Sequence, residues 1–339
     1  MTEITRIAVD TSKSVFTLHA VDAGGRAVFR RNLNRNQFQS FFEKQAPVEV
    51  VLEACGGSHH WGRWLTAAGH RVRLIPPQYV KPFVKRGKND RNDAEAICVA
   101  ASQPSIGSVP VKSSKAQAGA MLLSVRDLLV RQRTQLVNAL RGHAAEFGLI
   151  AAKGGKGLAK LKADIACDAE LPPEAKEAFD LLGDEIGRLD TRLAIVDAKL
   201  KKQHKADPLS QLLAAVPGIG MHGGLNLARR VDASQFKSGR HFAAWLGLTP
   251  REHSTGGKQR IGGISRAGDE RLRALLVLGA TTVIQHAKPG KPNVSPWLLE
   301  LLKRRPRKLV AVALANKMAR IVWAMMTQGT EYRPNAATA

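Results

Sequence analysis

An α+β fold, a mixed-sheet N-terminal domain followed by a helical remainder, is predicted by three observations. Short β-patterned runs crowd the first hundred residues, helical periodicity takes over near Lys115, and 339 residues exceed what one compact core accommodates. The boundaries that follow are residues 1–110 for the sheet domain, 111–206 for a helical coiled-coil arm and 207–333 for a mainly helical C-terminal domain.

Local pattern justifies each element in turn. Ile7-Ala-Val-Asp10 is a short apolar run ending in an acid. Val15 to Val21 and Arg26 to Leu33 flank Asp22-Ala-Gly-Gly25, whose glycines tolerate the positive φ of a tight turn, so three consecutive antiparallel strands are expected. Phe38, Phe41 and Phe42 give Asn36 to Lys44 helical spacing, and Val48 to Leu52 reads as a buried strand that stops at Glu53. A helix over 58–69, a strand from Arg71 to Ile75, a break at Pro76-Pro77 and a helix from Asp90 to Ala101 complete the domain. Lys115 to about Gly148 reads as one long helix, and Gly154, Gly155 and Gly157 as a basic connector. Leu182, Ile186, Leu189, Leu193, Val196 and Leu200 recur at spacings of 4, 3, 4, 3 and 4. Such an a/d seam suits either an antiparallel hairpin within the chain or a subunit-joining coiled coil. Pro208 to Arg333 is mostly helical around a glycine-rich centre.

Charge narrows the function. With 52 Lys+Arg against 28 Asp+Glu the chain carries +24, which predicts a polyanionic partner, nucleic acid first. A hydrophobic content of 44% places that charge on a folded protein rather than a disordered tail. Cys55, Cys98 and Cys167 are too scattered for a zinc knuckle or a disulfide framework, which fits a reducing cytoplasm. MTEITRIAVD lacks the basic start and apolar run of a secretory signal, and the uncharged stretch Ala274 to Ile284 is short of the roughly 20 residues of a membrane span. A cytoplasmic protein with no membrane association is expected.

Four acids are spaced as a metal site requires. Asp10 ends the first strand and Glu53 the fourth, so they converge at one sheet edge if those strands are neighbours. Asp90 and Asp93 are three apart at a helix start, hence on one face. Hard divalent cations such as Mg²⁺ take oxygen ligands of this kind and activate phosphodiesters for in-line displacement. Singly, each acid also suits a turn or a helix N-terminus. Pro217-Gly218-Ile219-Gly220 between helical patterns serves either as a phosphate-holding hairpin or as a plain helix–helix turn. The stretch from Trp245 to Arg273 sets Ser254 and Ser265 among glycines with Arg251, Lys258, Arg260, Arg266, Arg271 and Arg273. Either a hydroxyl attacks phosphorus there under guanidinium stabilisation, or a basic loop grips phosphates. Adjacent His59 and His60 point in different directions on a helix and are read as solvated or capping, and the five tryptophans as core.

The sheet pattern with its Asp, Glu, Asp, Asp set resembles the ribonuclease H fold, in particular Holliday-junction resolvases. The wider set Ile7-Ala-Val-Asp10-Thr-Ser-Lys, Glu53-Ala-Cys-Gly, Lys88-Asn-Asp90-Arg91-Asn-Asp93-Ala, Pro217-Gly-Ile-Gly, His253-Ser-Thr-Gly-Gly-Lys and Gly263-Ile-Ser-Arg-Ala-Gly-Asp resembles the DEDD transposases of bacterial insertion sequences, described as bridge-RNA-guided recombinases. The resemblance implies Mg²⁺ bound by Asp10, Glu53, Asp90 and Asp93, and a nucleophilic serine, Ser254 by motif position, with Ser265 or Thr255 as alternatives. It also implies nucleic-acid contacts from Lys88, Arg91, Gly218, Gly220, Arg251, Lys258, Arg260 and Arg266. Composite sites in a homodimer or homotetramer, and an element-encoded guide (bridge) RNA that pairs with donor and target DNA, belong to the same expectation. A metal-only nuclease of branched DNA and a non-catalytic nucleic-acid-binding protein are the competing readings. An actin-like ATPase is set aside, because no second Asp-x-Gly and no glycine-rich adenosine loop is present.

Overall fold

Residue alternation builds the first of the two units, Met1–Gln117 and Ala118–Ala339, into which the chain divides. The computed structural model describes residues 3–85, 90–288 and 294–334; the side chains of Asp90 and Arg91, and all of Lys88, lie outside the described residues. Unit one runs β1 (Arg6–Thr11), β2 (Val15–Val21), β3 (Ala27–Asn34), α1 (Arg35–Lys44), β4 (Glu49–Glu53), α2 (Ser58–Ala67), β5 (Arg71–Ile75), α3 (Pro77–Val80) and α4 (Asp90–Ser102). Its five strands form one mixed sheet in the order β3-β2-β1-β4-β5, with β2 antiparallel to β1 and β3, and β4 parallel to β1 and β5. The Asp22 carboxylate accepts from the Gly24 and Arg26 amides and closes the β2–β3 turn, where Gly25 takes φ +77°.

Successive residues of a strand face opposite sides. Ile7, Val9, Val50, Leu52, Phe16 and Leu18 face α1 and α2, where Phe38, Phe42, Trp61 and Leu65 cover them. Ala8, Val51, Val21 and Ile75 face the other way, under Ala96, Ile97 and Ala100 of α4. Glu49, on that α4 face, is buried and paired with Arg6 at 2.5 Å, Arg71 at 3.2 Å and Arg73 at 3.4 Å. Arg73 continues to the Ala101 carbonyl at 3.0 Å, which ties the end of α4 to the sheet.

Unit two is mainly helical: α5 (Ser114–Glu146, whose first turn belongs to unit one), α6 (Gly155–Cys167), α7 (Pro173–Lys205), α8 (Pro208–Ala214), α9 (Gly220–Arg230) and α10 (Gly239–Trp245), then a two-stranded ribbon of β6 (Pro250–Glu252) and β7 (Ile261–Ile264), then α11 (Glu270–Gln285), α12 (Pro296–Arg304) and α13 (Arg307–Gln328). The expected basic connector is thereby corrected. Gly155 and Gly157 lie inside α6, where Gly157 meets the Ala152 carbonyl so closely that a Cβ would overlap it. The seam on α7 is occupied within the chain: Ile186 packs with Leu140, Leu158 and Leu161, while Val196 and Leu200 pack with Leu123. Arg126–Asp197 at 2.5 Å and Arg133–Asp190 clamp α5 to α7 in antiparallel sense.

By length and composition α13 is the one helix among the described residues suited to a membrane, yet Val310, Ala315, Met318, Ala319, Val322 and Met325 recur at helical spacing and are buried against the unit's own helices. It is a core helix. The Pro217–Gly220 turn also has a packing cause, since Gly218 takes φ +89° and a Cβ there would sit 2.6 Å from the Gly279 carbonyl on α11. Gly218→Ala adds left-handed strain to that clash and is expected to cost about 2 kcal/mol or more, measured by urea denaturation. A wild-type midpoint in the variant would show that the turn shifts without cost.

Candidate active site

The strand ends bring the N-terminal acids together. Asp10 and Glu53 each follow the last paired position of parallel neighbours, Val9 opposite Leu52. By alternation Asp10 shares the face of Ala8 and Glu53 that of Val51, so both lie on the side covered by α4. Just beyond them Thr11 Oγ1, at the end of β1, lies 3.2 Å from Cys55 Sγ in the segment after β4. Asp93 precedes Ala96, Ile97 and Ala100 by three, four and seven residues, which sets it on the helix stripe that meets the sheet. Burial, and then the negative charges of Asp10 and Asp93, push the Glu53 carboxyl above its usual range. These three acids therefore share one electrostatic neighbourhood.

A second network holds α4 above them. His19 is buried on β2 and its Nδ1 accepts from Arg30 Nε at 3.1 Å; burial, then the Arg30 charge, lowers its pKa and keeps it an acceptor. Arg30 also reaches Glu95 on α4 at 2.8 Å, and Lys85 reaches the same carboxylate at 2.6 Å. Sequence reading missed Glu95, although it lies two residues from Asp93. His59 is structural: its Nδ1 accepts the Lys112 amide at 3.3 Å.

In unit two, Ser254 stands on the exposed β6–β7 ribbon. Thr255 and Lys258 exchange backbone hydrogen bonds of 3.3 and 3.0 Å around Gly256 and Gly257, whose φ angles of 55° and 75° are those of a two-residue hairpin turn. Ser254 Oγ donates to Glu252 Oε1 at 2.8 Å and accepts from the Arg260 amide at 3.2 Å. Arg251 donates through Nε and Nη2 to the Ser265 carbonyl, at 3.3 and 3.1 Å, across the base of the ribbon. Arg266 is the only described non-glycine residue with positive φ, at 57°.

Comparison with known proteins supplies the identity of this combination. A family model described as Transposase IS116/IS110/IS902 family matches residues 210–294, and a DEDD transposase model of IS110 type matches residues 7–147. A putative transposase of Sinorhizobium fredii is 52% identical over 333 residues, covering 98% of this chain and 86% of that protein. The chain belongs to the IS110 family of transposases. A probable family 20 transposase of Pseudomonas aeruginosa is 48% identical, covering 98% of this transposase and 99% of the relative. The transposase for insertion sequence element IS1111A of Coxiella burnetii is 39% identical, with 99% and 93% covered.

The transposase is thus an enzyme that cuts and rejoins DNA. Among its described residues no group of three or more His, Cys, Asp or Glu side chains is close enough to hold a metal ion. The donor chemistry nonetheless suits a hard divalent cation: Asp10, Glu53 and Asp93 offer only carboxylate oxygens, and Glu53 is pushed toward the protonated form that a cation would reverse. In the ribbon of the transposase Arg251, Lys258 and Arg260 are exposed, as is Arg266 just after it. Glu252 was missed in sequence: it ends β6, and its carboxylate meets Ser254 Oγ only through the irregular turn that follows the strand.

Proposed function

We propose that this transposase breaks and rejoins DNA through a transient serine–phosphodiester link. In this reading Asp10, Glu53, Asp90 and Asp93 of a ribonuclease H-like, resolvase-like domain (residues 1–110) hold Mg²⁺, and Ser254 of the 207–333 domain attacks phosphorus. The observation that carries it is the convergence of Asp10, Glu53 and Asp93 at adjacent parallel strand ends under α4, where burial and the neighbouring carboxylates raise the Glu53 pKa. The strand order β3-β2-β1-β4-β5 supports the fold assignment. When bound, the cation neutralises and polarises the scissile phosphate.

The chain's own groups do the rest. Glu252 takes the Ser254 Oγ proton as the Oγ–P bond forms; the P–O bond to one deoxyribose breaks, and the departing oxygen takes that proton and leaves as a hydroxyl. The hydroxyl of an exchanged strand reverses the step and frees Ser254. Ser265 lacks a carboxylate of this kind among its described hydrogen bonds, which favours Ser254. Arg251, Lys258, Arg260 and Arg266 bind phosphates, with Lys88 and Arg91 as further contacts. Gly220, with nothing within 4 Å of its Cβ position, suits a phosphate approach better than Gly218. Protomers assemble into a homodimer or homotetramer with composite sites; the α7 seam of the 111–206 arm, filled by α5 and α6 of the same chain, is not the joining surface. The charge of +24 and the motif resemblance support recruitment of an element-encoded guide RNA with donor and target DNA in the bacterial cytoplasm, at the nucleoid.

The test uses protein purified with its co-expressed element RNA and labelled donor and target DNA, with Mg²⁺ or EDTA, on denaturing gels. A covalent adduct lost in Ser254→Ala and in Asp10→Ala is expected. Metal-dependent cleavage without an adduct, unaffected by Ser254→Ala, would establish a hydrolytic nuclease instead. Glu252→Gln is expected to slow adduct formation about 10²-fold, read by single-turnover kinetics; an unchanged rate would remove Glu252 as the base.

A further inference from the structure

A cleft of about 800 Å³ opens in unit two between the start of α10, the last turns of α13 and the segment that follows. Gly329 creates one wall: with φ +65° and its amide on the Met325 carbonyl it ends α13 and turns residues 330–333 back along the cleft. Gly239 creates another, because a Cβ there would lie 3.1 Å from the Arg320 backbone, so α10 sits directly on α13. Trp323, Met325 and Tyr332 line the cleft and pack against the unit's main core. Trp323 is fixed further by its Nε1–H, which donates to the Ala233 carbonyl at 3.2 Å. Arg240, Arg320 and Arg333, each from a different segment, line the same space, with Glu331 as the only carboxylate among the described lining residues. None of these residues belongs to the serine ribbon or to the acid cluster.

We propose that this cleft binds an unpaired stretch of polynucleotide, with a base against Trp323 and Tyr332 and backbone phosphates on the arginines. The volume lies within the roughly 300–1,000 Å³ of sites that enclose small ligands. Anchored aromatic rings beside several guanidinium groups are the elements that hold single strands without reading sequence. A B-form duplex, its bases stacked inside, presents only phosphates and leaves the aromatic floor unfilled. Strand exchange releases unpaired segments by necessity, so the cleft has a substrate within the family's activity. The proposal rests on the family's handling of DNA and is independent of the roles assigned to Ser254 and the carboxylates.

Full-length protein in EDTA is photo-crosslinked to short single-stranded DNA or RNA containing 5-iodouracil, and the modified peptides are mapped. Crosslinks at Trp323 or Tyr332 are expected, and a tighter DNA or a tighter RNA complex at that position supports the proposal and identifies the source of the strand. Tyr332→Ala is expected to weaken single-strand binding about tenfold. Arg240→Ala with Arg333→Ala is expected to lower the slope of log affinity against log salt by about 1.4, at roughly 0.7 per lost contact, with duplex affinity unchanged. Crosslinks confined to other peptides, together with wild-type single-strand affinity in both variants, would overturn it. Adduct formation by the same proteins reads the serine mechanism separately, so failure of one assignment is not mistaken for failure of the other.

Discussion

Glu53→Gln is expected to lower strand cleavage by about 10²-fold or more while raising the melting temperature. Burial and the charges of Asp10 and Asp93 lift the folded-state pKa of Glu53 above the usual 4.5, so ionising this carboxyl opposes folding. The sign follows: its contribution to stability is fully present below pH 4.5 and is lost as pH rises through the folded value. A neutral amide removes that loss. The stability gap between variant and wild type should vanish in acid and open toward neutrality, as thermal melts across pH would show. Divalent cation should narrow it by stabilising the wild type alone. A Glu53→Gln protein that melts below wild type at pH 7 would contradict the electrostatic account, and one that cleaves normally would remove Glu53 from the active site.

The opposite outcome is expected four residues earlier on the same strand and face. Burial raises the Glu49 carboxyl, but the hydrogen bond from Arg6 and the charges of Arg6, Arg71 and Arg73 outweigh it and hold the group below the usual carboxylate range. Glu49→Gln leaves three guanidinium groups around a site without charge and is expected to cost about 3 kcal/mol, the low end for a broken buried ion pair because the arginines reach water. A group with a depressed folded pKa stabilises above its unfolded value and loses that contribution as pH falls through the folded one. Acid unfolding of the wild type should therefore include a Glu49 component below pH 4.5 that is absent from the variant. Equal denaturation midpoints at neutral pH would show that the arginines rehydrate freely.

These two glutamates also mark how far the sequence could be read. Glu53 was legible because a buried-strand run stops at it and the glycine hairpin marks β2 and β3, but the parallel pairing of β1 with β4 that brings Asp10 beside it was only a condition in the sequence and required the sheet. Glu49 was not, because its arginines come from β1 and β5 and meet only after the sheet assembles. The same limit hid Gly218, whose reason is a carbonyl sixty-one positions away at Gly279. Glycine as a breaker misled at α6, where Gly157 is needed for close backbone approach and the helix runs through it. The seam on α7 was visible, but its partner was not: periodicity shows that a face is apolar, whereas its cover, here α5 and α6, is a tertiary fact. In the ribbon the serine stood out by composition, yet the turn at Gly256 and Gly257, and with it the pairing of Ser254 to Glu252, required the backbone.

That two-residue turn bears on how copies of such an element decay in a genome. Point substitutions at the ribbon's exposed positions other than Gly256 and Gly257 leave its register intact. A single-codon insertion or deletion between Glu252 and Arg260 changes the spacing that brings the Glu252 carboxylate and the Arg260 amide to Ser254 Oγ. Uninterrupted spacing across those nine residues is therefore a test of integrity that can be applied to dispersed copies by reading length alone, before any residue is compared.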